Sequence, residues 1–287
     1  MDALEPSIVD NFKTLPRDGR GGISYFPSGP GSTEATALWC LATFSHSISE
    51  SSAGELHWIL QRQNPNGSFC LYEDFPLEGI WVTSQVVILL HHLGLKEPLS
   101  RALDFLRAFR SETLKFEEKS PVKLDDTIPG WPWHSGNFGW VEPTAWAVLA
   151  LKSCGLGEDP RVTDGKRFLL DRAILDGGWN YGNREVYNRE LIPFWDTTAL
   201  ALLALDVSPQ NEMALRGLQI LIRDLDSMES FYSLAWTVLA LERWAYDSSR
   251  AKERLLQKFS VLAPEEKNSA HIALGFIALA PKRALTE

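Results

Sequence analysis

Three stretches of this chain begin alike: STEATALWCLA at 32–42, VEPTAWAVLAL at 141–151 and WDTTALALLAL at 195–205. Each sets an acid first (Glu34, Glu142, Asp196), a threonine two residues on (Thr36, Thr144, Thr198), then alanine and a nearly unbroken apolar run. Polar residues are missing on every side of these runs, which is how a helix buried all round reads. FYSLAWTVLAL (231–241) and SAHIALGFIAL (269–279) keep the apolar half, and IWVTSQVVILL (80–90) fits more loosely. The segments between, 6–15, 53–63, 98–110, 161–172, 211–225 and 249–261, carry apolar residues at helical spacing and charge on the opposite face. Buried and amphipathic helices thus alternate, about six of each. Inner helices ringed by outer ones satisfy that alternation, so the pattern predicts an all-α (α/α)6 toroid, six helical hairpins forming one domain over 1–287. Gly and Pro fall between the segments, and a loop of about thirty residues, 111–140, interrupts them.

Three of the outer segments end in a recurring signature. WILQRQNPNGSF (58–69) sets Gln63, Gly67 and Phe69 at fixed spacing after an aromatic-aliphatic pair, and FLLDRAILDGGW (168–179) repeats it down to Gly177 and Trp179. FKTLPRDGRGGI (12–23) is a weaker copy. This resembles the Gln-Trp repeat of squalene-hopene and oxidosqualene cyclases and the related repeats of protein prenyltransferase β subunits. The resemblance covers nearly the whole chain and implies a single α/α toroid with terpene cyclase-like chemistry, an isoprenoid held in an aromatic-lined central cavity. The repeat residues themselves read as pins between helices: the amide suits helix-end backbone groups, and Gly permits close approach.

Composition narrows the partners. The net charge is −9, which speaks against nucleic acid. Cys40, Cys70 and Cys154 are scattered and odd in number, which suggests a reducing compartment and forms no metal motif. No apolar run reaches the length of a membrane span, and MDALEPSIVD lacks the features of a secretory signal, so the expected location is the cytoplasm.

Alignment of the inner segments gives one equivalent position near each start: Glu34, Trp81, Glu142, Asp196, Tyr232 and Ala270. The cyclases that this chain resembles place a D-x-D-D-T-A motif there, whose middle Asp protonates an alkene or epoxide. Asp196 falls on that Asp, with Phe194 and Thr197 for its neighbours, and Glu142 falls there in the preceding inner segment. These are the candidate acids, although a first-turn acid equally suits a helix cap and dipole. Asp125 and Asp126, in LDDT at 124–127, are a second candidate pair, set in the long loop. Trp81, Trp140, Trp195, Phe194, Phe231 and Tyr232, with Glu34, are the expected substrate-binding set, since aromatic faces stabilise cations. In the prenyltransferase branch zinc is held by Asp, Cys and His. His271 stands at the histidine position, but Phe231 and Ser233 occupy the other two, so neither metal nor cofactor is expected. The reading inclines towards an enzyme of class II cyclase type. Its alternatives are a noncatalytic toroid binding an isoprenoid, peptide or protein, and an α/α-barrel glycoside hydrolase or lyase using Glu142 and Asp196 as paired carboxylates.

Overall fold

The computed structural model describes residues 10–11, 13–48, 52–113, 122, 124–125, 127–263 and 266–285. Six helices form the inner ring: α1 (Thr33–Ser45), α3 (Ile80–His92), α5 (Val141–Ser153), α7 (Trp195–Ala204), α9 (Phe231–Arg243) and α11 (Ser269–Leu279). Five lie outside it: α2 (Ala53–Leu60), α4 (Lys96–Ala108), α6 (Pro160–Asp171), α8 (Glu212–Asp224) and α10 (Ser249–Val261). Each inner helix packs on the next, and α11 packs on α1, so the ring closes. The expected (α/α)6 toroid is therefore the fold. Of the sixth outer segment, 6–15, residues 10, 11, 13 and 14 are helical, and the remainder lies largely outside the described residues.

The inner helices are buried on nearly all faces, and their side chains merge into one core. The outer ones bury only a stripe; in α8 it is Ala214, Gly217, Leu218, Ile220 and Leu221. Helix starts are capped where the sequence supplies a short polar residue: Ser32, Asp159, Asn211, Ser230 and Asn268 each accept a first-turn N–H.

The repeated threonine is a pin. Thr36, Thr83, Thr144 and Thr198 each accept, on Oγ1, the N–H of a residue in the loop entering that inner helix: Ile23 (3.0 Å), Phe69 (2.9 Å), Trp131 (2.8 Å) and Trp179 (2.9 Å). The indoles continue the pattern, with Trp131 Nε1 donating to Leu106 O (3.0 Å) and Trp179 Nε1 to Leu169 O (2.6 Å), carbonyls in the last turns of α4 and α6. At the first full copy Gln63 Nε2 donates to Gly67 O (3.1 Å) and Pro98 O (2.8 Å), joining its turn to α4. Gly67 has φ +93°, and a Cβ there would stand 2.2 Å from Arg101 O, so only glycine fits.

Two small antiparallel hairpins stand among the loops, β1 (Cys70–Tyr72) with β2 (Phe75–Glu78) and β3 (Glu185–Val186) with β4 (Arg189–Glu190). At the opposite end, residues after α11 cross the ring. Ala284 and Leu285 are buried beside Ile88, Leu149 and Leu203, and His92 Nε2 lies 2.9 Å from Ala284 O. No helix among the described residues is long and apolar enough to cross a membrane.

Candidate active site

The inner helices run in one direction, so their first turns meet at one end of the ring. A cavity of about 250 Å³ opens there, lined by Glu34, Glu142, Gln85, Tyr25, Trp81, Trp133, Trp146, Tyr232, Trp236 and His271. Its two carboxylates differ in environment. Glu34 is held at both oxygens: the Tyr25 hydroxyl donates to Oε2, and Gln85 Nε2 donates to Oε1 at 2.9 Å. No hydrogen-bond donor reaches the Glu142 carboxyl among the described residues. It is half-buried and lines the cavity. Burial, then the negative charges of Glu34 and Asp196, push its carboxyl up to about 8. At neutral pH Glu142 therefore carries a proton.

Asp196 sits further round the rim. Burial raises its pKa as well, while an N–H from Thr197 to Oδ1 (2.9 Å) works in the opposite sense and ties it to the start of its own helix. Its charge reaches Glu142 and Tyr232 without its being part of the cavity wall. His271 lies with its ring 4.3 Å from that of Tyr232, and burial lowers its pKa to about 4, so it is a neutral imidazole at pH 7. No group of three or more potential metal ligands occurs among the described residues.

The aromatic set divides. Trp81 and Tyr232 line the cavity, Trp81 edge-on to Trp133 at 5.0 Å. Trp140 and Phe194 lie outside it, in a neighbouring hollow, with Trp140 stacked on Phe138 at 5.1 Å. Trp195 turns outward, its indole donating to Asp224 at 3.1 Å. Phe231 packs in the core against Gly275 and Phe259. Asp125 is exposed and binds its own turn, the Thr127 hydroxyl and N–H holding its carboxyl below the usual range; Asp126 lies outside the described residues.

Several lining residues have weak sequence signals. Gln85 is the exception, a single amide in the apolar run of IWVTSQVVILL. Its Oε1 and the indole Nε1 of Trp146 are buried in the cavity wall without a partner among the described residues, so the wall offers an acceptor and a donor to an occupant. Tyr25 and Trp133 come from loops, and only the closed ring carries them to Glu34 and Trp81.

No family model matches the chain, and no curated protein resembles it in sequence. Solved structures do share its shape along nearly the whole length. PssZ from Listeria monocytogenes aligns with TM-score 0.64 and 12% identity over 95% of this chain and 94% of that one. A variant of Rex8A from Paenibacillus barcinonensis, complexed with xylose, aligns with TM-score 0.64 and 9% identity over 100% and 94%. A variant of a reducing-end-xylose releasing exo-oligoxylanase gives 0.62 and 10% over 100% and 94%. At these identities the likeness is one of fold.

These neighbours correct the functional expectation drawn from the Gln-Trp resemblance. Structures that share this shape include PssZ and reducing-end-xylose releasing exo-oligoxylanases, and one of them is a complex with xylose, where the resemblance implied squalene-hopene cyclases and an isoprenoid. The class II cyclase reading, its isoprenoid substrate and the alternative of a noncatalytic toroid binding an isoprenoid, peptide or protein are all set aside. The site gives the physical reason. Alkene protonation requires a strong acid, and burial beside two other carboxylates makes Glu142 a weak one. The Gln-Trp spacing belongs to the pins of the toroid and carries no information about substrate.

Proposed function

We propose that the protein is a glycoside hydrolase acting on an oligosaccharide or other O-glycoside in the central cavity. The observation that carries this reading is a carboxylic acid kept protonated near neutrality, Glu142, in one cavity with a second carboxylate, Glu34, oriented by Tyr25 and Gln85. Glycosidic cleavage uses two such groups in two protonation states. Glu142 gives its proton to the glycosidic oxygen as the C1–O bond breaks and that oxygen keeps the bonding electrons. Water adds to C1 and loses a proton to Glu34, whose oxygens each retain a lone pair beyond the bonds they already accept. Glu142 ends ionised and Glu34 protonated, and exchange with solvent resets both. The faces of Trp81, Trp133 and Tyr232 supply apolar walls for the C–H faces of a sugar ring, and Trp146 Nε1 and Gln85 Oε1 supply partners for its hydroxyls.

The fold neighbours support this choice of class, because one is a xylose complex and others release xylose from oligoxylans. Asp196, paired with Glu142 in the sequence-based alternative, is assigned the lesser role of a nearby charge that helps keep Glu142 protonated. We keep the cytoplasm as the compartment, on the three free cysteines. The test is incubation of the purified protein with xylo- and gluco-oligosaccharides and synthetic glycosides, with reducing ends and products followed by mass spectrometry. Turnover that disappears in Glu142→Gln is the expected result. Turnover that survives in both Glu142→Gln and Glu34→Gln would end the proposal.

A further inference from the structure

Beside the mouth lies a second hollow of about 300 Å³, walled by Trp140, Tyr181, Leu191, Ile192 and Phe194. Ile192 is 72% exposed and Tyr181 49%, an unusual concentration of large apolar side chains in open solvent. The hollow is placed by the same helix starts that place the acids. Trp140 caps α5 two residues before Glu142, and Phe194 caps α7 two residues before Asp196. Tyr181 holds the start of α5 directly, its carbonyl accepting the Val141 N–H at 3.0 Å, and its hydroxyl lies within the field of both Asp196 and Glu142. The rings of Tyr181 and Phe194 are in contact at 5.0 Å.

Two features decide what fits there. The first is the apolar character of its lining, to which Asn180, Asn183 and the Trp140 Nε1 add little polar surface. Asn180 is occupied, with Nδ2 donating to Asn183 O (2.8 Å) and Oδ1 accepting from Gly182 N (3.0 Å). A sugar in this hollow would bury hydroxyls with few partners, at a cost that an apolar group avoids. The second is its side of the site. A general acid protonates the leaving oxygen, so the leaving group departs on the acid's side, and the hollow adjoins the start of the helix that carries Glu142.

We propose that this hollow receives the leaving group, and that the substrate is a glycoside of an alkyl or aryl alcohol. This rests on the glycosidase reading and deepens it. The sugar occupies the acid-lined cavity and the apolar group stays outside it; the alcohol takes the proton of Glu142 and leaves as water adds to C1.

The test uses methyl, butyl and octyl xylosides and glucosides of both anomers, whose alcohols are of similar acidity and differ in apolar length. The kcat/KM is expected to rise about tenfold or more from methyl to octyl. In Ile192→Asp the octyl-to-methyl ratio should collapse towards one, while Val261→Asp, at another exposed apolar position on α10, should keep the wild-type ratio. Equal rates along the series, or cleavage of unsubstituted oligosaccharides alone, overturn the inference and leave the glycosidase reading standing. A dimer in sedimentation that Ile192→Asp dissociates, with no octyl preference, assigns the hollow to a second copy and overturns it too. Calorimetry on Glu142→Gln separates the two claims. Tighter binding of octyl than methyl glycoside upholds the hollow even without turnover, and equal or absent binding overturns it. Failure of the wild-type protein to cleave any glycoside or oligosaccharide overturns the glycosidase reading, and the leaving-group assignment falls with it.

Discussion

Glu142 is protonated at pH 7 because nothing near it favours its charge, and that single fact has two measurable consequences. As the proposed general acid it must hold its proton, so kcat/KM should fall as pH rises through about 8. Glu142→Gln should lower kcat about 10²–10⁴-fold. Stability follows the same proton. The ordinary carboxyl value is 4.5 and the folded value is about 8. Between the two the folded protein retains a proton that the unfolded chain has released. The contribution is complete below pH 4.5 and is lost as pH rises through 8, each tenfold change in proton affinity being worth about 1.4 kcal/mol. Denaturant unfolding should therefore show wild type weakening from pH 5 to 9, with Glu142→Gln much flatter; parallel profiles would contradict the burial argument. The threonines make the opposite case, position without chemistry. Thr198→Val leaves the buried Trp179 N–H without its acceptor and should cost about 1–3 kcal/mol while kcat at low temperature is kept. At this scale the sequence exposed Glu34, Glu142 and Asp196 through their equivalence in the repeat. It put Asp196 and Glu142 first as acids and Glu34 among the binding residues; the proposed pairing of Glu142 with Glu34 depends on Tyr25 and Gln85 holding Glu34, and those contacts span 9 and 51 residues.

The elements were the legible part. The inner segments read at 32–42, 80–90, 141–151, 195–205, 231–241 and 269–279 correspond to α1, α3, α5, α7, α9 and α11 within three residues at each end. Periodicity suffices for this because burial on all faces and burial on one face leave different patterns in the chain. The loop 111–140 was not legible: Trp131 and Trp133 stand two residues apart in it, yet Trp131 is fully buried as a pin and Trp133 lines the cavity. Loop side chains have no period from which a direction can be read. How closely elements approach can be tested at two glycines. Gly67→Ala forces a Cβ against the α4 backbone at positive φ and should destabilise by about 1–3 kcal/mol. Gly275→Ala meets the Phe231 ring at 2.3 Å and should cost about 1–3 kcal/mol through α9–α11 packing. Thermal unfolding of both variants checks these values, and a neutral result at Gly67 would mean that its turn relaxes freely.

For the molecule as a whole, the two ends of the ring have separate tasks: acids and aromatic rings gather at one, and the chain after α11 covers the other. Leu285→Ala should cost about 2 kcal/mol in denaturant unfolding, at the low end for a buried leucine because it borders existing free space. It should leave KM unchanged, since the mouth lies at the far end; a raised KM would mean that the two ends communicate. The closing seam joins α11 to α1, with the His46 ring against Phe276 O across 230 residues of chain and the Ser269 N–H on Tyr25 O. That seam gives the molecule an order in time. During synthesis Glu34 emerges well before His271, so the cavity does not exist until the sixth hairpin arrives. Until then a half-built ring presents inner-helix faces that the finished one hides, and its slowest folding step should be the joining of the first helix to the last.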